Sequence, residues 1–338
     1  MSTIKPALWD ADSIVPRQRV ISDNDYAGDP DGLVQLAHLL LSPSVDVRGV
    51  IASHLGVDDP FSLGTQGFDA SRGAERAATI AELCGRSDVP IATGFEGPLT
   101  APRAPRESAG AHTIVREAMR DDSDTPLFVT CGGSLTEVAD AWTLEPRIAG
   151  RFTLIWIGGH EYPSVAEPPP GGGDMEYNTG LDPIAAQILF NDSDIDIWQV
   201  PRSTYRTAIA SRSELRRRMM PAGPLGDHLY RSLGGVVEFA ASKGHHLGET
   251  YVLGDSPLVL LTALWTGFEP GPASSPWITR PCPRIEDSGL YAEHPHGRLI
   301  RVFTGLDNRL MMEDLFAKLD ELAGLHVAQP SRNEIADD

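Results

Sequence analysis

Short apolar segments alternate with segments of helical periodicity along the chain, and this alternation restricts the fold more than any other feature. Arg19–Ser22 ("RVIS") is typical of a buried strand, and Leu33–Leu41 follows with apolar residues spaced as on one face of a helix. Further strand-like segments are "VRGVIAS", "VPIATG", "PLFVTCGG", "FTLIWIGG", "DIDIWQVP" and "RLIRVFTG". The order predicts an α/β protein with a mostly parallel central sheet of about eight strands, flanked by helices.

The length of 338 residues permits one large α/β domain or two smaller ones. We find no internal repeat and no linker, so we predict a single domain over residues 1–338, with its core from about 19 to 325. The last third predicts helices at Val236–Ser242, Pro257–Trp265 and Met312–Ala323. The polar segment from about 328 to 338 predicts a disordered tail.

Two segments rich in proline and glycine, 96–112 and 161–178, cannot continue as helix or strand. Loops of this length in a compact domain are either disordered or functional. Both readings stay open at the level of the sequence.

The net charge of −19 argues against nucleic acid or an anionic membrane as a partner, since both require a basic surface. It fits the binding of cations and neutral small molecules, and equally fits simple solubility. The three cysteines are widely spaced and include no C-x-x-C pair, which predicts a reducing compartment and no zinc site. No signal peptide and no long apolar run is present, so we predict a cytoplasmic protein.

Four aspartates, Asp23, Asp25, Asp29 and Asp31, fall within nine positions between the first strand and the first helix. In α/β sheets, ligands bind at the carboxyl ends of the strands, where this cluster stands. Carboxylates that converge there repel one another unless a cation neutralises them, and such hard oxygen ligands select Ca²⁺ or Mg²⁺. Capping of the helix that begins near Gly32 would explain one or two of the aspartates, but not four. The cluster therefore favours a divalent cation site.

This arrangement resembles the nucleoside hydrolase family, whose signature after the first strand is Asp-x-Asp-Pro-Gly-x-Asp-Asp. Asp23 and Asp25 match its first two aspartates, but "YAGDPDG" is two residues longer, and Gly32 stands where the last aspartate is expected. The resemblance is thus to a divergent branch of the family. Over Arg19–Leu322, further matching segments follow in the family's order: "VPIATGFEGPL", "VTCGGSLTEVADAW", "LIWIGG", "DMEYNTGLDPIAAQILF" and "LGDSPLVLL".

The resemblance implies a calcium cofactor and a set of site residues. Its metal ligands map onto Asp25, Asp31, the backbone carbonyl of Gly132, and Asp255. Its ribose-binding residues map onto Glu176 and Asn178, and Asp29 is predicted to fold back, supply the missing carboxylate and contact the substrate. Which of Asp29 and Asp31 ligates the metal stays open, because the loop between them and Asp25 departs from the family's length.

Activation of the leaving group is the largest departure from the family. Many members carry a histidine directly before the late aspartate, and this chain has Gly254 there. His54 is the favoured replacement acid because "VIASHL" ends at the same edge of the sheet as the aspartates. Other candidates are His112, the pair His245 and His246, and the segment 294–296, and a structural role is open for each. Tyr26 lies inside the acidic motif and is predicted to stack on a nucleobase.

The resemblance implies calcium-dependent hydrolysis of the N-glycosidic bond of a ribonucleoside to ribose and free base, with Asp25 as general base for a water on the cation. Two alternatives remain: hydrolysis of a different ribosyl or glycosyl substrate, or a non-catalytic sugar-binding domain on the same fold. The resemblance also implies a homodimer or homotetramer. The base preference is not determined by the sequence.

Overall fold

The computed structural model describes residues 14–56, 59, 69–102, 106–170, 175–266 and 274–328. The predicted tail from about 328 onward, and parts of both proline- and glycine-rich segments (103–105 and 171–174), lie outside the described residues. The strands are β1 Gln18–Asn24, β2 Val45–Ala52, β3 Ile91–Thr93, β4 Leu127–Cys131, β5 Thr153–Ile157, β6 Asp196–Val200, β7 Ile209–Ser211, β8 Thr250–Val252, β9 Trp277–Pro281, β10 Arg284–Ile285, β11 Tyr291–Ala292 and β12 Leu299–Phe303.

The helices include two of more than five turns and several of a single turn. They are α1 Asp31–Leu40, α2 Asp69–Leu83, α3 Ala109–Ala118, α4 Thr136–Leu144, α5 Tyr177–Leu181, α6 Pro183–Gln187, α7 Arg202–Tyr205, α8 Arg212–Arg218, α9 Gly223–Ser242, α10 Pro257–Leu260 and α11 Asn308–Ala328.

Eight strands form one central sheet in the order β3-β2-β1-β4-β5-β6-β12-β9. Every neighbouring pair is parallel except β12 and β9, which are antiparallel at one edge. This confirms the predicted α/β class and its mostly parallel sheet. Two small antiparallel pairs, β7 with β8 and β10 with β11, stand beside the main sheet.

Strand β1 lies at the centre of the sheet, and all seven of its residues are buried. Because successive side chains of a strand point to opposite faces, Val20 and Ile21 enter different core layers. Val20 packs in a cluster with residues of α1, α2, α9 and α11, such as Leu36 and Phe316. Ile21 packs in a second cluster with residues of α3 and α4, such as Ile114. The sheet is thus covered by helices on both faces, as a parallel sheet requires.

The elements of the last third differ from their predicted bounds. Helix α9 begins at Gly223, well before the predicted Val236, because its first half contains glycine and proline that mask the helical period. Helix α10 ends at Leu260, short of the predicted Trp265. The edge strand β9 was not predicted, since its outer residues Trp277 and Ile278 are exposed and the alternation there is weak.

The topology places a crevice at the carboxyl ends of the central strands. After β1 the chain adds β2 and β3 on one side and then crosses to β4 on the other, so the strand order reverses at β1 and β4. Ligands of open α/β sheets bind at such a switch point, outside the carboxyl ends of the strands. None of the described helices has the length and apolarity needed to span a membrane.

Candidate active site

A cavity of about 310 Å³ opens beside the carboxyl ends of β1 and β4. Six of the residues that line it are predicted metal ligands or ribose-binding residues: Asp25, Asp29, Asp31, Gly132, Asn178 and Asp255. The remaining lining residues are Ile157, Tyr177, Tyr205, Val252 and Gly254. Segments that are far apart in the chain therefore meet at the one place where the topology predicts a ligand.

Burial and like charges dominate the electrostatics of this cavity. The pKa of Asp25 is raised well above its usual value, first by burial and then by Asp255 and other carboxylates. Burial and the same neighbours raise the pKa of Asp31. The pKa of Asp255 is raised to about 7, again chiefly by burial. Each ionised carboxylate therefore opposes the ionisation of the others, and the cavity favours a positive charge.

The donor set fits a hard divalent cation, because carboxylate and backbone carbonyl oxygens are its preferred ligands. Among the described residues, however, no three His, Cys, Asp or Glu side chains are arranged as a finished metal site. The carbonyl oxygen of Gly132 accepts a hydrogen bond from Nδ2 of Asn178 at 2.9 Å. The residues fit a cation by chemistry and by charge, and they would have to converge on it.

Asn24, which the sequence reasoning passed over, holds the cluster together. Its Nδ2 donates to Oδ2 of Asp255 at 2.9 Å, and its Oδ1 accepts the backbone N–H of Asp25 at 2.9 Å. A Cβ at position 132 would lie 2.3 Å from Asn24 Nδ2, and a Cβ at position 32 would lie 3.0 Å from the same atom. The amide of Asn24 therefore requires the glycine at 132 and favours the one at 32, where the family signature has an aspartate.

The longer loop between β1 and α1 is held from two sides. Arg72 and Arg76 of α2 donate to the carbonyl oxygens of Ala27 and Gly28, at 3.3 and 3.1 Å. The hydroxyl of Tyr251 donates to Oδ1 of Asp29 at 2.7 Å. Asp29 is thereby held at the cavity, which it lines.

The alternative interpretation, in which the aspartates cap α1, is supported for two of the four. Asp31 is the first residue of α1, where a negative charge is favourable. Its backbone N–H donates to Oδ1 of Asp29 at 3.2 Å. Asp29 and Asp31 thus serve the helix terminus and also line the cavity together with Asp25 and Asp255.

Glu176 is fully buried and does not line the cavity. Its carboxylate accepts hydrogen bonds from the backbone N–H groups of Gly159, Asn178 and Thr179 and from the Thr179 hydroxyl. The hydroxyl of Tyr205 donates to its Oε1 at 2.8 Å. Glu176 is thus the cap of α5, and its placement does not support the predicted direct contact with ribose.

His54 and Tyr26 also lie outside the cavity lining. The ring nitrogens of His54 lie 2.9 Å from Thr136 Oγ1 and 3.0 Å from the Leu55 carbonyl oxygen, and burial lowers its pKa. The hydroxyl of Tyr26 lies 2.9 Å from Ser22 Oγ, within the core. The placement of these two residues supports neither the predicted acid nor the predicted stacking role.

A second cavity of about 780 Å³ adjoins the first and shares Asp29 and Val252 with it. It is mostly apolar, and Phe239, Tyr251 and His245 are among its lining residues. His245, one of the other sequence candidates, thus lines a cavity that adjoins the candidate site, and His54 lines neither of the two.

Three tyrosines around the two cavities each donate a hydrogen bond to a carboxylate. Besides the contacts of Tyr205 and Tyr251, the hydroxyl of Tyr177 bonds to Asp59. Tyr177 begins α5 and Tyr205 ends α7, and nothing in the sequence indicated their carboxylate partners. No pattern in the sequence marked Asp59 or Tyr251 as a residue of the site.

The comparisons with known proteins agree with this geometry. The sequence profile of the inosine-uridine preferring nucleoside hydrolases matches residues 20–269. The inosine-uridine preferring nucleoside hydrolase of Crithidia fasciculata is 31% identical over 148 residues, which is 37% of this chain and 44% of that protein. The match thus spans less than half the length of that relative.

Two solved structures show the same fold across nearly their whole length. The purine-preferring ribonucleoside hydrolase from Gardnerella vaginalis superposes with a TM-score of 0.69 at 17% identity, covering 91% of this chain and 100% of that one. A plant nucleoside hydrolase gives a TM-score of 0.67 at 17% identity, covering 90% and 99%. At this identity the likeness establishes the fold alone.

The open α/β sheet, the switch-point crevice and the acidic cavity define an α/β protein with an acidic small-molecule site. The chain belongs to the inosine-uridine preferring nucleoside hydrolase family.

Proposed function

We propose that the protein hydrolyses the N-glycosidic bond of a ribonucleoside to ribose and the free base, with calcium as its cofactor. The observation that carries the proposal is the meeting of Asp25, Asp31, Gly132 and Asp255 in one cavity with Asn178. These are the positions that the family resemblance assigns to metal and sugar. The size of the cavity is at the lower end of the range for small-molecule sites.

Asp25 is proposed as the general base. Its carboxylate is buried in the cavity beside other carboxylates, where it can accept a proton from a neighbouring water. When bound by Asp25, Asp31, Asp255 and the Gly132 carbonyl, calcium would supply the positive charge that makes a water acidic near neutral pH. A cation would also bring the carboxylate pKa values back down.

The negative cavity suits the transition state of the reaction. Cleavage of a glycosidic bond passes through a sugar with oxocarbenium character, which carries positive charge. The carboxylates would stabilise this charge where it develops, because they line the cavity that the sugar is proposed to occupy. Asn178 and Asp29 are proposed to orient the sugar. Both hydrogen bonds that Asp29 accepts from the described residues end on Oδ1, so Oδ2 can accept one from a sugar hydroxyl.

The base is proposed to occupy the adjoining apolar cavity, since the two cavities meet at Asp29 and Val252. Phe239 and Tyr251 offer aromatic surface there, and such surface suits a flat nucleobase. His245 is then better placed than His54 to protonate the leaving base.

The test is the release of ribose from a panel of purine and pyrimidine ribonucleosides, with excess chelator and after calcium is added back. We expect release in calcium, loss of at least about 100-fold in chelator, and recovery on addition. Release that persists in chelator would contradict the calcium proposal. Bound calcium without release from any nucleoside would favour the alternatives, another glycosyl substrate or a sugar-binding domain.

We further propose that the protein acts in the cytoplasm as a homodimer or homotetramer, as the resemblance implies. Trp277 and Ile278 on the edge strand β9 and Leu299 on its neighbour β12 are exposed, and large apolar side chains of this kind are suited to an interface. Light scattering tests the oligomeric state. The mass of a monomer in solution would contradict the proposed dimer or tetramer.

A further inference from the structure

Gly254 and Tyr205 lie side by side in the lining of the acidic cavity. A Cβ built at Gly254 would lie 3.5 Å from Cδ2 of Tyr205 and 3.3 Å from Oδ2 of Asp31. The second distance is tighter than ordinary van der Waals contact, and the first is an ordinary contact. The ring of Tyr205 therefore lies directly beside the place where a side chain at position 254 would begin.

The same tyrosine separates Glu176 from the cavity. Tyr205 lines the cavity, and Glu176, which lies behind it, does not. Three of the partners of Glu176 are backbone N–H groups, which can only donate, so its carboxylate is the acceptor throughout. The hydrogen of the Tyr205 hydroxyl is therefore given to Glu176 Oε1, and the oxygen of that hydroxyl keeps its own lone pairs for another donor.

From these two observations we propose that Tyr205 is a substrate-contact residue whose hydroxyl oxygen accepts a hydrogen bond from a hydroxyl of the bound sugar. This rests on the proposed function, since it takes the sugar to lie in the cavity with Asp25 and Asn178. The proposal assigns to Tyr205 the sugar contact that the sequence predicts for Glu176. Glu176 becomes a positioning residue that holds the tyrosine hydroxyl.

The direction of the hydrogen bond excludes a different role for Tyr205. A leaving base must receive a proton, and the hydrogen of Tyr205 is already committed to a carboxylate. An acceptor oxygen serves a sugar O–H group and not a base nitrogen that needs a donor. Tyr205 thus selects for a free hydroxyl on the sugar and does not replace the family's histidine as the acid.

The experiment compares the wild type with Tyr205→Phe, which removes only the hydroxyl. The control is Tyr230→Phe on α9, a tyrosine that lines neither cavity. The first measurement is the affinity for D-ribose by calorimetry in calcium. The second is kcat/KM for the best nucleoside and for its 2′-, 3′- and 5′-deoxy analogues. Unfolding temperatures check that both variants are folded.

We expect Tyr205→Phe to weaken ribose binding about tenfold, which is the loss of one hydrogen bond. We expect the wild type to discriminate against one deoxy analogue, and Tyr205→Phe to lose about tenfold of that discrimination while treating the other two as the wild type does. Tyr230→Phe should leave both measurements unchanged.

Unchanged ribose affinity and unchanged discrimination in Tyr205→Phe would overturn the proposal. A loss confined to nucleosides, and absent for a riboside whose nitrophenolate leaving group needs no proton, would also overturn it, because that is the signature of an acid. If the wild type releases no ribose from any nucleoside, the proposed function fails, and the ribose affinities alone then decide the role of Tyr205.

Discussion

At the scale of the residue, the candidate site is a set of like charges held together by neutral groups. The aspartates were predictable, because charged side chains between two apolar segments need a specific reason to be there. Asn24 and Tyr205 were not predictable as partners, because their contacts join segments that only the folded chain brings together. Asn24 reaches Asp255, and Tyr205 reaches Glu176. The residue pattern of one segment carries no information about a hydrogen-bond partner in a distant segment.

Replacement of Asp255 by asparagine should have opposite effects on two properties of the protein. It should stabilise the metal-free protein and weaken its binding of calcium. In chelator, Asp255→Asn removes a buried carboxyl that opposes the ionisation of Asp31 and Asp25, and Asn24 can still donate to the new amide oxygen. We expect the metal-free protein to gain roughly 1–3 kcal/mol in the free energy of unfolding near pH 7.5. In calcium the variant should bind at least about tenfold more weakly than the wild type. Urea unfolding with and without calcium measures both.

The matched control is Asp121→Asn, an exposed carboxyl that pairs with Arg151 on the surface. We expect it to change the free energy of unfolding by less than about 1 kcal/mol in either condition. Equal stability of Asp255→Asn and wild type in chelator would show that the carboxylates of the cavity do not oppose one another.

At the scale of the element, α1 is held between the sheet and α11. Its residues are buried almost throughout, including the polar His38. Nε2 of His38 lies 2.7 Å from Oδ2 of Asp314, and the amine of Lys318 contacts the same carboxylate and donates to Ser42 Oγ at 2.8 Å. Burial lowers the pKa of His38 to about 4, with Lys318 as a second cause. The imidazole is therefore neutral at pH 7, and its contact with Asp314 is a hydrogen bond from Nε2–H.

This network predicts a loss of stability in acid. The unfolded His38 takes up a proton near pH 6.5 and the folded one only near pH 4, so unfolding binds a proton between these values. The free energy of unfolding should fall by about 2 kcal/mol between pH 7 and pH 5 on account of this residue. In His38→Gln, whose amide can still donate to Asp314, the fall should be smaller by that amount. His112→Gln, at an exposed position, should behave as the wild type. Parallel curves for His38→Gln and wild type in urea unfolding would contradict the assignment.

The elements also show where sequence patterns succeed and fail. Strands β1 and β4 and helix α1 were predicted close to their bounds, because buried parallel strands and one-sided helices have clear periods. The start of α9 was missed, because its glycine and proline obscure the helical period, and the end of α10 was overextended into an apolar run that is not helical. The prediction for His54 lacks support from its placement for another reason. The end of a strand fixes the edge at which a residue lies, but not whether its side chain turns to the cavity or to the core.

At the scale of the whole molecule, the fold supplies the site through topology. The reversal of strand order at β1 and β4 opens the crevice, and the loops that follow these strands carry Asp25 and Gly132. The net charge of −19 is spread over the chain, yet the carboxylates that matter for the proposal are the few that are buried in this crevice. The family membership follows from the match over residues 20–269, while the proposed activity rests on the residues of the cavity.

The most direct test of the account is the rate of ribose release by Asp25→Asn beside the wild type. Both are assayed in saturating calcium with the nucleoside that the panel shows to be cleaved fastest. We expect the wild type to turn over and the variant to lose at least about 1,000-fold in kcat, because one residue serves as both base and ligand. The unfolding temperature of the variant checks that it is folded. A variant within tenfold of the wild type would contradict the role of Asp25 and, with it, the proposed reaction at this cavity.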